Sequence, residues 1–300
     1  MKSEVNTPLL AAGYIIILGF SRTMEIVKTI QKISAKDLDK VIVEIYDQKS
    51  PELVLVGPNL IYDKKGFLHH LSHWVSDYSR VYQLTSDVNN ICEKLSSLSH
   101  LTSLVLRDFQ IKPIEIKSLV NLKNLTKLNI AGSNIGNAGA RYLSKLSSLI
   151  TLDLSYNAIG NEGVRYLSWI ENLTELGLIG NNIGDKGAFY LADLNKLTTL
   201  DLANNQIKDN GVDYLSRLNC LTKLNLSDNQ IQDSGVEHLK HLKHLEVLHV
   251  NDCMIGSIGV KHISSLTNLV EVGLANNFIT DAGAKYLKPL SNIRNWVLGS

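Results

Sequence analysis

From Leu101 onward the apolar residues recur with a period of 24. One of them opens each unit, at Leu101, Leu125, Leu149, Leu173, Leu197, Leu221, Leu245, Leu269 and Ile293, with no insertion or deletion between. Within a unit the spacing changes. The first part alternates, apolar at Leu152 and Leu154 and polar at Thr151 and Asp153, which is the period of two of a strand with one buried face. The second part spaces its apolar residues three apart, as Val164, Leu167 and Ile170, and predicts a short helix. A strand and a helix repeated at a fixed interval build a solenoid in which each unit leans on its neighbours. The strands are expected to stack as a parallel ladder on the concave side, with the helices on the convex side.

Two further columns mark the turns. At the ninth position of the unit stand Asn157, Asn181, Asn205, Asn229 and Asn277, replaced by Ser133 and Cys253 in two repeats. An amide both donates and accepts, so a column of them can satisfy the backbone where the chain turns inward. At the fifteenth position stand Gly139, Gly163, Gly187, Gly211, Gly235, Gly259 and Gly283. On the form L-x-x-L-x-L-x-x-N-x-I, seen in Leu173, Leu176, Leu178, Asn181 and Ile183, the chain resembles the leucine-rich-repeat proteins. The helix in every unit makes it most similar to their ribonuclease-inhibitor-like class. The resemblance covers residues 101–298 and implies an α/β solenoid that binds other macromolecules; it carries no catalytic residue over. The near-identical units, N-x-I-G-D-x-G-A-x-Y-L, also look similar to effectors that intracellular bacterial pathogens deliver through type IV secretion. That likeness implies a protein that is cytoplasmic in the producing cell, is secreted into the host cytosol and meets a host protein there, often of signalling or ubiquitin machinery.

The repeats are bounded by less regular sequence. In 101–124, Phe109 takes the asparagine position and Glu115 the glycine position, as suits a first unit meeting a different neighbour. Upstream, Tyr14–Leu18, Lys40–Tyr46 and Glu52–Val56 read as strands, and Ser21–Ser34, Gly66–Trp74 and Asp87–Leu98 as helices. Segment 51–76 echoes the repeat, with Val54, Val56, Asn59 and Ile61 at the motif's offsets. Residues 1–100 are therefore expected to be an α/β cap built partly from degenerate repeats, followed by eight repeats over 101–292. Ile293, Trp296 and Leu298 begin a ninth unit in 293–300, and truncation of a longer protein is the expected reason for its brevity.

Composition narrows the function classes. Thirty basic and 29 acidic residues leave no electrostatic case for nucleic acid or an anionic membrane, and residues 1–100 are as evenly balanced, with eleven of each. The uncharged run Thr7–Ser21 is well short of the ~20 residues a membrane helix needs. Glu4 and the lack of a small-residue cleavage site also make it a poor signal peptide, so a buried strand is the better reading. Three cysteines without paired spacing, Cys92, Cys220 and Cys253, suggest reduced thiols.

No catalytic motif emerges; every candidate glycine belongs to the repeat, and no cofactor or metal is implied. Of nine histidines, His238, His241, His244, His249 and His262 lie in two adjacent repeats, but His249 falls on the opposite face, so solvated side chains are expected rather than a metal site. His69, His70 and His73 match no metalloprotease or deaminase spacing. The column Tyr142, Tyr166, Tyr190, Tyr214 and Tyr286 is expected to pack helix against helix.

The concave face remains as the expected binding surface of a monomeric, non-enzymatic interaction protein. Its fifth-position column runs Val105, Asn129, Asp153, Gly177, Asp201, Asn225, His249 and Gly273, flanked by Tyr156, Glu175, Ile179, Asn204, Asp228 and Asp252. Among these, Asp153, Tyr156, Glu175, Gly177, Ile179, Asp201, Asn204, Asn225, Asp228, His249 and Asp252 are the candidate binding residues. Gly177, without a side chain between Asp153 and Asp201, predicts a dip with acidic walls suited to a lysine or arginine. The competing class is an adaptor or enzyme whose catalytic part lies in 1–100 or beyond the C-terminal end.

Overall fold

The structure, a computed structural model, describes residues 14–16, 29–34, 37–48, 52–56, 81–84, 90–288, 290, 293 and 295–297. Four strands precede the repeats: β1 (Tyr14–Ile16), β2 (Thr29–Ile33), β3 (Glu52–Val56) and β4 (Val81–Leu84). The repeats contribute β5 (Ser103–Arg107), β6 (Lys127–Asn129), β7 (Thr151–Asp153), β8 (Glu175–Gly177), β9 (Thr199–Asp201), β10 (Lys223–Asn225), β11 (Val247–His249) and β12 (Glu271–Gly273), and β13 (Asn295–Val297) follows. Among the described residues they form one sheet in the order β1-β2-β4-β3-β5, continuing in sequence order to β13. Only β1 and β2 pair antiparallel; the ladder from β5 onward is parallel throughout.

In-register stacking follows from the period. Leu128, Leu152, Leu176, Leu200, Leu224 and Leu248 stand opposite one another on successive strands and are all buried. Val164, Leu167 and Ile170 are buried on the helix side of the same core. Short helices on the convex side, such as Asn161–Leu167 and Asp185–Leu191, complete an α/β leucine-rich-repeat solenoid.

Two polar columns tie each unit to the next. The Asn181 side chain donates through Nδ2 to the Leu154 carbonyl at 3.1 Å, and its Oδ1 accepts from the Ile159 N–H at 2.8 Å, both in the preceding unit. Ser133 Oγ and Cys253 Sγ, the two substitutes, reach the equivalent carbonyls of Leu106 and Leu226 at 3.3 and 3.4 Å, so they keep the donor while losing the acceptor. The second column stands at the thirteenth position. Asn137, Asn161, Asp185, Asp209 and Asp233 accept from the N–H of Gly160, Gly184, Lys208, Gln232 and Gly256, just ahead of the following helix. None of those five helix-leading residues bonds its own helix start through its side chain, so each helix is capped by the preceding repeat.

The N-terminal region departs from the sequence expectations. Lys40–Tyr46, expected as a strand, lies within a helix, Leu38–Gln48, whose Leu38, Val41 and Ile42 are buried at helical spacing while Val43 is exposed. The expected helix Ser21–Ser34 contains β2 instead, and the strand β4 was not foreseen. The echo of the repeat in 51–76 is out by one residue. Leu53 and Leu55, not Val54 and Val56, stand in register with the core positions Leu104 and Leu106, and both are buried. The expected strand at Tyr14–Leu18 is present as β1, and the helix expected over Asp87–Leu98 is described as Ile91–Leu95. Gly66–Trp74, with His69, His70 and His73, and also Asn59, Ile61 and Leu298, lie outside the described residues.

Candidate functional site

Strand alternation sends the third, fifth and seventh positions of each unit to the concave face. Val105 and Asn129, expected to face solvent, are fully buried, whereas Asp153, Asp201, Asn225 and His249 are half-buried. The polar fifth-position side chains also hold the strand end. Asn129, Asp153, Asp201 and Asn225 each accept through Oδ1 from the backbone N–H two residues on, at 3.0 to 3.1 Å. Asn129 and Asn225 donate to the Asp153 and Asp201 carboxylates at 2.8 and 3.2 Å. The concave column therefore carries structural work that the sequence reading did not assign to it.

Another group of candidates owes its residue types to the backbone. The eighth position adopts a left-handed conformation in each of the eight repeats over 101–292, at Asp108, Gly132, Tyr156, Gly180, Asn204, Asp228, Asp252 and Asn276. Glycine, asparagine and aspartate enter that region at least cost, which accounts for Asn204, Asp228 and Asp252 without any ligand. Tyr156 is the outlier. A bulky side chain at φ 57° is strained, and its ring lies over the α-carbon of Gly180, where a side chain on that glycine would collide with it.

Around Tyr156 the face is hollow. A depression of about 300 Å³ is lined by Asp153, Tyr156, Glu175, Gly177, Ile179 and Asp201, with Arg107 and Lys223 also on its lining. Six of the eleven candidates thus meet in one place, whereas Asn204, Asn225, Asp228, His249 and Asp252 are not part of that lining. At the floor, a Cβ on Gly177 would come within 2.8 Å of Asp153 Oδ1, so the carboxylate leans across the glycine. Asp153 further accepts from Ser155 Oγ at 2.6 Å. Among the described residues none of Asp153, Glu175 and Asp201 is in an ion pair, since all their hydrogen-bond donors are neutral.

Burial pushes the Asp201 carboxyl above the usual carboxylate range, with the nearby Asp153 charge adding to the shift and the Ala203 N–H, the Asn225 amide and His249 opposing it. The native state then holds its proton to higher pH than the unfolded chain does. Ionised Asp201 weakens the fold, and stability falls as pH rises from the ordinary aspartate value through the raised native one. Asp201→Asn is accordingly expected to be neutral or stabilising at pH 7, with its advantage over the parent vanishing in acid. Thermal melts of both proteins across pH check this; a variant less stable at pH 7 and equal in acid would contradict it.

Elsewhere, His249 Nε2 lies 2.8 Å from Glu271 Oε1 and His238 Nδ1 lies 3.2 Å from Asp213, each histidine meeting a single carboxylate. Among the described residues no group of three or more His, Cys, Asp or Glu is placed to hold a metal, and no helix is long and apolar enough to cross a membrane. Burial pushes the thiols of Cys92 and Cys253 up to about 12 and about 11, and only Cys220 is exposed. A feature the sequence reading missed lies on the helical side. Trp169 and Phe189 are exposed, with Phe189 meeting Tyr214 edge to face at 5.2 Å and Trp169 meeting Tyr166 at 5.3 Å. Of the tyrosine column, expected to pack helix against helix, Tyr142 and Tyr190 are partly buried against the core, while Tyr286 is exposed.

Leucine-rich-repeat family models match residues 171–231 and, for a second model of that repeat, residues 121–144, 145–168 and 241–264. No curated protein matches the chain significantly. Among solved structures, internalin C2 from Listeria monocytogenes is similar at 30% identity and TM-score 0.50, over 69% of this chain and 74% of that one. An internalin (inlF) from the same organism aligns at 22% identity and TM-score 0.45, over 88% of this chain and 95% of that one. With the parallel ladder, the asparagine column and the matched repeats all carried by the same residues, this chain belongs to the leucine-rich-repeat family.

Proposed function

We propose that this protein is a bacterial effector that occupies a host cytosolic protein through its concave face. The coarser part of that statement, a protein-interaction scaffold, follows from the family; the face, the host and the compartment are our reading. The observation that carries the face is the depression at Gly177, where six predicted residues converge and three carboxylates have no ionic partner among the described residues. The unit consensus N-x-I-G-D-x-G-A-x-Y-L and the bacterial solved relative support the effector role. Unpaired cysteines suit a reducing cytosol.

The exposed aromatics of the helical face, Trp169 and Phe189, are the rival surface, because tryptophan and tyrosine are enriched among residues that dominate binding energy. The test is capture from host-cell lysate by the parent, by His249→Trp on the ladder and by Trp169→Ala with Phe189→Ala on the helices. We expect a shared partner to be lost with the ladder variant and kept by the helix variant, both verified as folded by circular dichroism. The reverse pattern would move the binding surface to the helices and sink the concave reading.

A further inference from the structure

Resting on the concave-face reading, we propose that the depression at Gly177 receives a single basic side chain, lysine or arginine, of the protein partner. The shape comes first. Gly177 contributes no side chain to the floor between β7 and β9, the Asp153 carboxylate leans across it, and the hollow of about 300 Å³ beside them is open to the face. One wall is the Tyr156 ring, exposed and fixed over Gly180; Ile179 adds a second apolar surface beside it. A lysine or arginine stem packs on such surfaces while its charged end stays polar.

Charge selects the guest. Asp153, Glu175 and Asp201 line the hollow, and the Glu175 side chain makes no hydrogen bond or ion pair among the described residues. An ionised carboxylate offers about four acceptor sites. Asp153 uses three and Asp201 two on neutral donors, which leaves both free to accept from a guest. The two cations of the lining do not fill this role. Arg107 stands 3.9 Å from Asp108, and Lys223 is exposed on β10, in register with Thr199. Three acids against two bases leave the lining net negative, so an anionic guest is disfavoured and a cation completes the site. A cation there would also lower the raised Asp201 carboxyl, so its binding should tighten as pH rises through that titration.

The probes are three blocked amino acids: Nα-acetyl-arginine amide, Nα-acetyl-lysine amide and, as an uncharged chain, Nα-acetyl-norleucine amide. Each is titrated into the isotopically labelled protein while the amide resonances of Gly177, Ile179 and Gly180 are followed. We expect saturable shifts with the two cations and none with norleucine. Binding should weaken about tenfold in a variant carrying Asp153→Asn, Glu175→Gln and Asp201→Asn, in which the strand-end acceptors are retained. If that variant does not fold, Glu175→Gln alone and Tyr156→Ala alone decide, since both side chains are exposed and outside the core. Equal shifts from norleucine, or cation binding indifferent to these substitutions, would overturn the proposal. Failure here is distinguishable from failure of the concave reading: a partner lost with His249→Trp but indifferent to the neutralised variants keeps the face and removes the pocket.

Discussion

Asn205→Ala should lower the stability of the solenoid by about 1–3 kcal/mol, because it leaves the buried Ile183 N–H unpaired and takes one of the two donors from each of three carbonyls. Asn205 Nδ2 lies 2.9 Å from the Leu178 carbonyl, 3.0 Å from that of Leu202 and 3.1 Å from that of Ala203, while Oδ1 accepts from the Ile183 N–H at 3.0 Å. Truncation removes all four contacts. The control is its neighbour Asn204, exposed and left-handed at φ 54°. Alanine there would add strain of its own, so Asn204→Gly is the cleaner comparison. Urea midpoints of the two variants separate the readings; equal losses would mean that the buried amide is not what joins the repeats.

Gly235→Val should cost about 1–3 kcal/mol for a different reason, overpacking between adjacent helices. A Cβ at Gly235 would meet Asp209 Oδ1 at 2.5 Å, the Asp209 backbone Cα at 3.0 Å and Ile231 Cγ2 at 3.0 Å. The carboxylate could rotate away only by releasing the Gln232 N–H that it holds at 2.8 Å. Backbone cannot rotate away at all, so the helix Asp233–His238 must shift from its neighbour Asp209–Leu215. Gly136→Ala is the comparison, since nothing lies within 4 Å of its Cβ direction and only its φ of 57° opposes the change. Should valine at 235 melt no earlier than alanine at 136, close helix approach is not the reason for the glycine column.

The periodic part of the molecule was readable because one physical constraint acts on every unit alike. Leu152 and Leu154, the ninth-position asparagines and the glycine column all recur at a fixed offset, so at least five of the eight repeats vote for each assignment. Where only one copy exists, local preference misleads. The β-branched residues of Lys40–Tyr46 favour a strand, yet Leu38, Val41 and Ile42 bury one side of a helix, which tertiary packing decides. At 53–56 the apolar run Leu53, Val54, Leu55 and Val56 fits either register, and pairing with Leu104 and Leu106 selects one. Other causes were hidden in single columns. Asn204, Asp228 and Asp252 also answer to a backbone angle, and the thirteenth-position aspartates cap the following helix, neither of which the string of letters shows. What the sequence did carry was the dip at Gly177, since a missing side chain between two acids is visible in the column itself.

The side-chain links between units have an evolutionary consequence. The capping contacts of Asn137, Asn161, Asp185, Asp209 and Asp233 reach 23 or 26 residues ahead, and the asparagine contacts between units reach back 22, 24 or 27, so none extends past an adjacent unit. Excision of residues 185–208 would bring Asp209 after Gly184, where Asn161 would find Gly211 in place of Gly187 and Ile183 would find Asn229 in place of Asn205. Each joint would be remade with an identical or equivalent partner. Unequal recombination in steps of 24 residues can therefore lengthen or shorten the recognition surface without passing through an unfolded intermediate in sequence space, whereas a single-residue slip would break both columns together.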